Sequence, residues 1–184
     1  MKITRTPPAL LLSLLTVNNA AQAAQTCNVN IPLTRPDSRY EVVASASPAG
    51  SEVRDKVTGL IWQRCMLGMG WDGSTCTGTA STTYTWQQAL EAARTATAST
   101  AATGVAAAWR LPSLVELYSL AERACYIPAI NITWFPATPG DSMWSSSPYA
   151  DNTGYAWFVN FYAGNFVGGS KSVAYRVRLV RSGQ

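Results

Sequence analysis

Histidine is missing from this sequence altogether, and charged residues make up only 13% of it. Without an imidazole there is no Ser-His-Asp or Cys-His nucleophile and no mixed cysteine–histidine zinc site. The four cysteines, Cys27, Cys65, Cys76 and Cys125, lack C-x-x-C spacing, so no metal ribbon is expected. No apolar run reaches the ~20 residues that a membrane-spanning helix needs. There is no internal repeat and no linker between domains. The net charge of +4 falls to +2 once Lys2 and Arg5 are set aside, too little to imply nucleic acid. The carboxylates Asp55, Asp72, Glu91, Glu116, Glu122, Asp141 and Asp151 include no pair spaced for glycosidase work. The residue types suit general acid–base chemistry poorly, so the expectation is a protein that is not an enzyme and needs no cofactor or metal.

What is present begins with an export signal. Lys2 and Arg5 form a positive start, Ala9 to Val17 an apolar run, and Ala21-Gln22-Ala23 an A-x-A cleavage site. Residues 1–23 therefore read as a signal peptide, and residues 24–184 as one domain. The expected location is secreted or at the cell surface, with the periplasm left open. An even cysteine count in an exported chain points to two disulfides. Three connectivities can be drawn. Cys65–Cys76, closing a short glycine-rich loop, with Cys27–Cys125, tying the N-terminal tail to the end of a central helix, is favoured. Each bridge is expected to stabilise by roughly 2–4 kcal/mol.

The organising stretch is Trp109 to Leu120. Pro112 ends an extended segment because it has no N–H to donate. Ser113 and Glu116 make a capping box, and Leu114, Leu117, Leu120, Ala121 and Ala124 give the apolar stripe of a helix. Before it, Arg39 to Ala44 reads as a strand. Val53 to Arg64 reads as a hairpin turning at Asp55 to Gly59, where Gly59 supplies the positive φ. Met66 to Thr83 reads as irregular. Thr85 to Arg94 is a helix with its own T-x-x-Q box, fraying into an alanine- and threonine-rich loop over Thr95 to Ala108. After the central helix, prolines keep Tyr126 to Pro139 irregular. Strands follow at Met143 to Ser147, Tyr155 to Phe161 and Ala174 to Val180, with Phe166 to Ser170 pairing back after a turn at Ala163 to Asn165. In the last strand Tyr175, Val177 and Leu179 alternate with Arg176 and Arg178, so the arginines are expected on a solvated face. The fold class is α+β: an N-terminal hairpin, two helices, a C-terminal antiparallel sheet and long irregular loops.

Several motifs occur in an order that resembles a known family. They are Asp55, then Thr58-Gly59-Leu60-Ile61-Trp62-Gln63-Arg64-Cys65; Tyr84 to Leu90; Trp109-Arg110-Leu111-Pro112 with Glu116-Leu117; and Pro128 to Asn131. Phe135-Pro136, Trp144 to Ser147 and Val177 to Arg181 complete the set. The chain resembles the domain named for the C-terminal part of the Legionella collagen-like adhesin (Lcl), over about Tyr40 to Arg181. The resemblance implies a C-type-lectin-like fold. It also implies recognition of sulfated glycosaminoglycan, the ligand of the name-giving adhesin. That adhesin forms trimers through a collagen stalk; this sequence has no G-X-Y run, so the trimer does not carry over. Related domains diversify residues near the C-terminus, where this chain carries Ser145 to Gly169. The sugar-binding E-P-N and W-N-D triplets of calcium-dependent lectins are missing, so no bridging calcium is expected.

Two residue sets are candidates for binding. Lys171, Arg176, Arg178 and Arg181 follow the last acidic residue, Asp151, and a guanidinium holds sulfate or carboxylate through paired hydrogen bonds. Basic residues on an outer strand also serve simply to discourage edge pairing. An aromatic set, Trp144, Tyr149, Tyr155, Trp157, Phe158, Phe161, Tyr162 and Phe166, offers ring faces beside polar groups, which suit sugars, although alternate residues of a strand must be core. Trp62, Trp86, Trp109 and Trp144 sit in motif positions and are expected in the core. Tyr149, Tyr162 and Asn165 sit in loops or turns and are better placed for a ligand. The expected function is a non-catalytic recognition module. Its partner is a glycan, sulfated or neutral, at a cell surface or matrix, as in an adhesin. The alternative is a structural subunit or cap of a surface filament that binds protein, with self-assembly. A third is an oxidase like the formylglycine-generating enzymes, which needs reactive thiols.

Overall fold

The computed structural model describes residues 25–78, 83–102 and 108–183. The expected signal peptide lies outside them, as do parts of the glycine-rich and alanine–threonine stretches. The architecture is α+β. In chain order the elements are β1 (Thr26–Cys27), β2 (Tyr40–Val42), β3 (Glu52–Asp55), β4 (Leu60–Gln63), β5 (Met69–Trp71) and β6 (Cys76–Gly78). Then come α1 (Trp86–Ala102), α2 (Leu114–Tyr118), β7 (Cys125–Tyr126), β8 (Ser142–Pro148), β9 (Tyr155–Asn160), β10 (Asn165–Ser170) and β11 (Val180–Ser182). All named strand pairs are antiparallel. They form a four-stranded sheet ordered β11-β4-β3-β2, a three-stranded sheet ordered β10-β9-β8, and two ribbons, β1-β7 and β5-β6.

The hairpin forms where expected, and its turn explains its sequence. The Asp55 carboxylate accepts the Val57 N–H at 3.0 Å and the Thr58 hydroxyl at 2.8 Å. The Asp55 carbonyl accepts the Gly59 N–H at 2.8 Å, and Gly59 has φ +72°. Arg39 closes over the same carboxylate with two hydrogen bonds. Both capping boxes form as well. Ser113 and Glu116 exchange bonds of 3.3 and 2.8 Å at α2, and Thr85 and Gln88 bonds of 2.9 and 3.4 Å at α1. Glu116 does more than cap, since Arg110 donates to both its oxygens at 2.7 and 2.6 Å.

The four-stranded sheet is covered on both sides. Tyr40, Val53, Trp62 and Val180 pack with Leu117, Leu120, Phe135 and Met143 in one core. Ile61 points the other way and packs with Ala89, Trp109, Leu111, Trp144, Val177 and Leu179 in a second. Both disulfides form as favoured, Cys27–Cys125 and Cys65–Cys76, leaving no free cysteine.

Four local expectations are corrected. Met66 to Thr83 is not wholly irregular: β5 and β6 pair across the loop closed by Cys65–Cys76. Helix α1 runs on through Ala102, past Arg94, because nothing in the alanine-rich sequence stops it. Helix α2 is short, ending at Tyr118; Ala121 then bridges to Ile130 instead of continuing the helix. Only Val180 to Ser182 forms the last strand. The preceding Tyr175 to Leu179 threads between elements, making single bridges at Tyr175 and Arg176.

Three carboxyls are tuned by this packing. At Asp55 burial pushes the pKa up, but hydrogen bonds from Arg39, Thr58 and Val57 outweigh it and leave it below the usual range. Glu122 behaves alike, with N–H groups of Ala124, Thr34 and Arg35 outweighing burial. Glu116 is lowered chiefly by Arg110. A carboxyl that is more acidic folded than unfolded stabilises above its unfolded pKa, and that contribution disappears as pH falls through the folded value. With no histidine to titrate near neutrality, the urea midpoint is expected to change little from about pH 5.5 to 7 and to fall steeply below about pH 4. A midpoint as high at pH 2.5 as at pH 6 would show that these carboxylates do not hold the fold.

Candidate functional site

The three-stranded sheet carries the most developed surface feature. Residues paired across an antiparallel ladder share a face. The β10–β9 register pairs Phe166 with Val159, Gly168 with Trp157, and Ser170 with Tyr155. At one end of this face Val159 is buried with Leu117 of α2. Beyond it the rings are only partly covered, with Phe166 44% and Tyr155 38% exposed. Tyr149, just after β8, joins them. Its N–H bonds to the Tyr155 carbonyl at 3.1 Å, and its ring lies on the backbone of Gly168. A Cβ at Gly168 would stand 2.7 Å from that ring, so a glycine is what lets the tyrosine lie down there.

The rings form a continuous row. Tyr118 meets Phe166 at 5.0 Å between centroids, Phe166 meets Trp157 at 5.7 Å, Trp157 meets Tyr149 at 4.8 Å, and Tyr149 meets Tyr155 at 6.4 Å. Arg123 stands at the Tyr118 end. Its guanidinium is 5.8 Å from the ring centroid and donates to the tyrosine hydroxyl at 3.2 Å. Arg123 is exposed and has no ion-pair partner among the described residues. Aromatic faces offer flat apolar area beside polar edges, and an exposed guanidinium can take a sulfate or carboxylate.

The residues singled out from the sequence are dispersed. Tyr149 belongs to the row. Tyr162 is 53% exposed in the turn after β9, and Asn165 starts β10 on the side opposite Phe166. Lys171 donates to the Thr153 carbonyl at 2.8 Å and lies 4.2 Å from the Trp86 ring centroid. Arg176 is paired with Asp141 at 2.6 Å, and Arg181 with Glu52 at 2.7 Å. Arg178 is the plain correction: instead of facing solvent it is fully buried. It donates to the carbonyls of Gln63 and Arg64 and to the Thr138 hydroxyl, with its guanidinium 4.9 Å from the Phe135 ring centroid. The alternation seen in the sequence is real, but both of its sides are interior. The lysine and three arginines thus make no common basic face.

Of the four motif tryptophans, Trp62, Trp109 and Trp144 are buried as expected, and Trp86 is half-covered. Trp144, Phe158 and Phe161 of the aromatic set are core. Tyr155, Trp157 and Phe166 of that set join Tyr149 in the row, and Tyr118 and Arg123 are the members that the sequence did not single out. No helix among the described residues is long and apolar enough to cross a membrane. Asn131, which begins an N-x-T triplet, is buried and uses its amide to hold Arg35 and Asp37.

Compared with known proteins, residues 51–181 match the family model described as the Lcl C-terminal domain. No curated protein and no solved structure matches the chain.

Proposed function

The chain belongs to the Lcl C-terminal domain family, and from that premise we propose that it is an exported, non-catalytic recognition module that binds glycan at a cell surface or matrix. The aromatic row ending at Arg123 carries this reading. Its rings would stack on the C–H faces of successive sugars, and Arg123 would hold a sulfate or carboxylate on an acidic chain. Pairing of all four cysteines leaves no thiol for an oxidase, which favours binding over catalysis. Helices beside antiparallel sheets, long loops and two disulfides suit a C-type-lectin-like fold.

The test is a glycan array, sulfated and unsulfated, at low and moderate salt, with the disulfide-intact protein and two variants. Trp157→Ala is expected to weaken binding of glycan chains, sulfated and unsulfated, along the row about tenfold or more, ~1.4 kcal/mol. Arg123→Glu should remove only the salt-sensitive binding to sulfated chains. Undiminished binding by folded Trp157→Ala would sink the row as the site. Silence of the wild-type protein across the array would sink the glycan and leave a protein partner for the same face. Charge reversal at Arg178 is no test of a surface site, because it would bury a carboxylate where three acceptors converge.

A further inference from the structure

A separate concavity of about 290 Å³ opens beside the disulfide-closed ribbon, lined by Ser47, Ser51, Glu52, Gln63, Trp71 and Trp109 among others. It shares no residue with the aromatic row. We propose that it is a binding pocket for one uncharged, polyhydroxylated ring, such as a single neutral monosaccharide unit. Glu52 and Gln63 are direct partners across β3 and β4, so their side chains stand together on one face. Glu52 accepts both Arg181 bonds on one oxygen, Oε2, at 3.2 and 2.7 Å, leaving Oε1 without a donor among the described residues. The Gln63 amide and the Ser47 and Ser51 hydroxyls make no hydrogen bond to other described residues, although all line the same space. These groups offer two acceptors and several donors, the set a vicinal diol can satisfy.

The aromatic wall is fixed in advance. The Trp71 indole N–H donates to the Ala49 carbonyl at 3.1 Å, and the Arg64 guanidinium lies 4.0 Å from the Trp71 ring centroid. Gly50, at φ +80°, lets the chain pass against the indole edge; a Cβ there would lie 3.3 Å from Nε1. Trp109 closes the far side beneath Arg181. Ring walls with a few convergent polar groups are the general form of a ligand site. Glu52 is neutralised by Arg181, so a charged ligand gains little, and the volume suits one ring rather than a chain.

The experiment uses the mature, oxidised protein with methyl glycosides of glucose, galactose, mannose and N-acetylglucosamine, and with glucuronate as the charged comparator. Tryptophan fluorescence and ligand-observed saturation-transfer NMR report binding. Saturable millimolar binding of at least one uncharged glycoside is expected, with glucuronate at least about tenfold weaker. Gln63→Leu, which keeps the strand and its volume, should weaken it at least about tenfold, while Trp157→Ala leaves it unchanged. Circular dichroism and thiol titration check that the Gln63→Leu fold and both bridges survive, and Ser51→Ala provides a milder second variant. No saturation by any glycoside up to about 100 mM overturns the proposal. So does binding unaffected by both variants. Loss of binding in Trp157→Ala also overturns it, by placing the sugar on the aromatic row.

Discussion

Arg178→Ala is expected to destabilise the protein by about 3 kcal/mol or more, whereas Arg178→Met should cost only about 1 kcal/mol. The difference comes from what the guanidinium does. It is fully buried, has no carboxylate partner among the described residues, and donates to the carbonyls of Gln63 and Arg64 and to Thr138. Desolvation pulls its pKa down to about 9, which still leaves it charged at neutral pH. Burying that charge costs stability, and the acceptors and the Phe135 ring recover only part of it. Alanine removes the charge but leaves a cavity and three acceptors without their donor. Methionine loses the same bonds, yet it fills the space and lifts the desolvation cost, as apolar replacements of buried ions often do. Guanidinium chloride unfolding of the two variants measures the gap. If methionine proves as damaging as alanine, the hydrogen bonds rather than packing are what Arg178 supplies.

The depressed arginine also sets a sign for alkaline behaviour. Below about pH 9 the guanidinium is protonated in both states, and the burial cost is present in full. Between that value and the unfolded pKa the unfolded chain holds more protons, so the cost of burying this group shrinks as pH rises. Tyr40 works the opposite way. Burial raises its pKa, so the folded phenol keeps a proton that the unfolded one gives up.

The parts of the molecule legible in the sequence are those fixed by contacts a few residues apart. Asp55, Thr58 and Gly59 build their own turn, and Ser113 with Glu116 caps its own helix. The disulfide pairing followed because one bridge closes a short loop and the other ties the N-terminal tail to the region after the central helix. Arg178 was misleading because period-2 alternation names two sides of a strand without saying which meets water. Here Val177 and Leu179 enter one core while the arginine turns toward Phe135 beside the other. Tyr118 apart, the aromatic residues were legible as a set, but their arrangement in a row was not, for another reason. Tyr118, Tyr149, Trp157 and Phe166 come from α2, a loop and two strands, and only sheet register and the bare Gly168 backbone bring them together. The family motifs explain the fold rather than the ligand. Trp109 is core, Arg110 clamps Glu116, and the Pro112 carbonyl receives the Ser146 N–H at 2.7 Å. The residues of the aromatic row lie between the motifs or beside them.

Loss of the Cys27–Cys125 bridge, in a Cys27→Ser/Cys125→Ser double variant, is expected to lower stability by about 4 kcal/mol, more than loss of Cys65–Cys76. The two bridges span 98 and 11 positions of sequence, so the first restricts a far larger unfolded loop. It also joins a segment before the matched family span to a point inside it. The tail does not depend on sulfur alone. Glu122, almost fully buried, accepts N–H bonds from Thr34, Arg35 and Ala124 at 3.0, 2.6 and 2.9 Å. Gln25 donates to the carbonyls of Pro128 and Ile130 at 2.6 Å each. Glu122→Gln places an amide N–H₂ against one of those N–H donors, so it should cost about 2 kcal/mol with the bridge present. In the bridge-less protein the same change should cost less, because the tail it anchors is already released for part of the time. Urea unfolding of the wild type, the two variants and their combination gives the coupling. Strict additivity would mean that bridge and carboxylate hold independent pieces of structure. A bridge worth less than about 1 kcal/mol would mean that the tail's hydrogen bonds persist in its absence and that the unfolded chain gains little freedom from the cut.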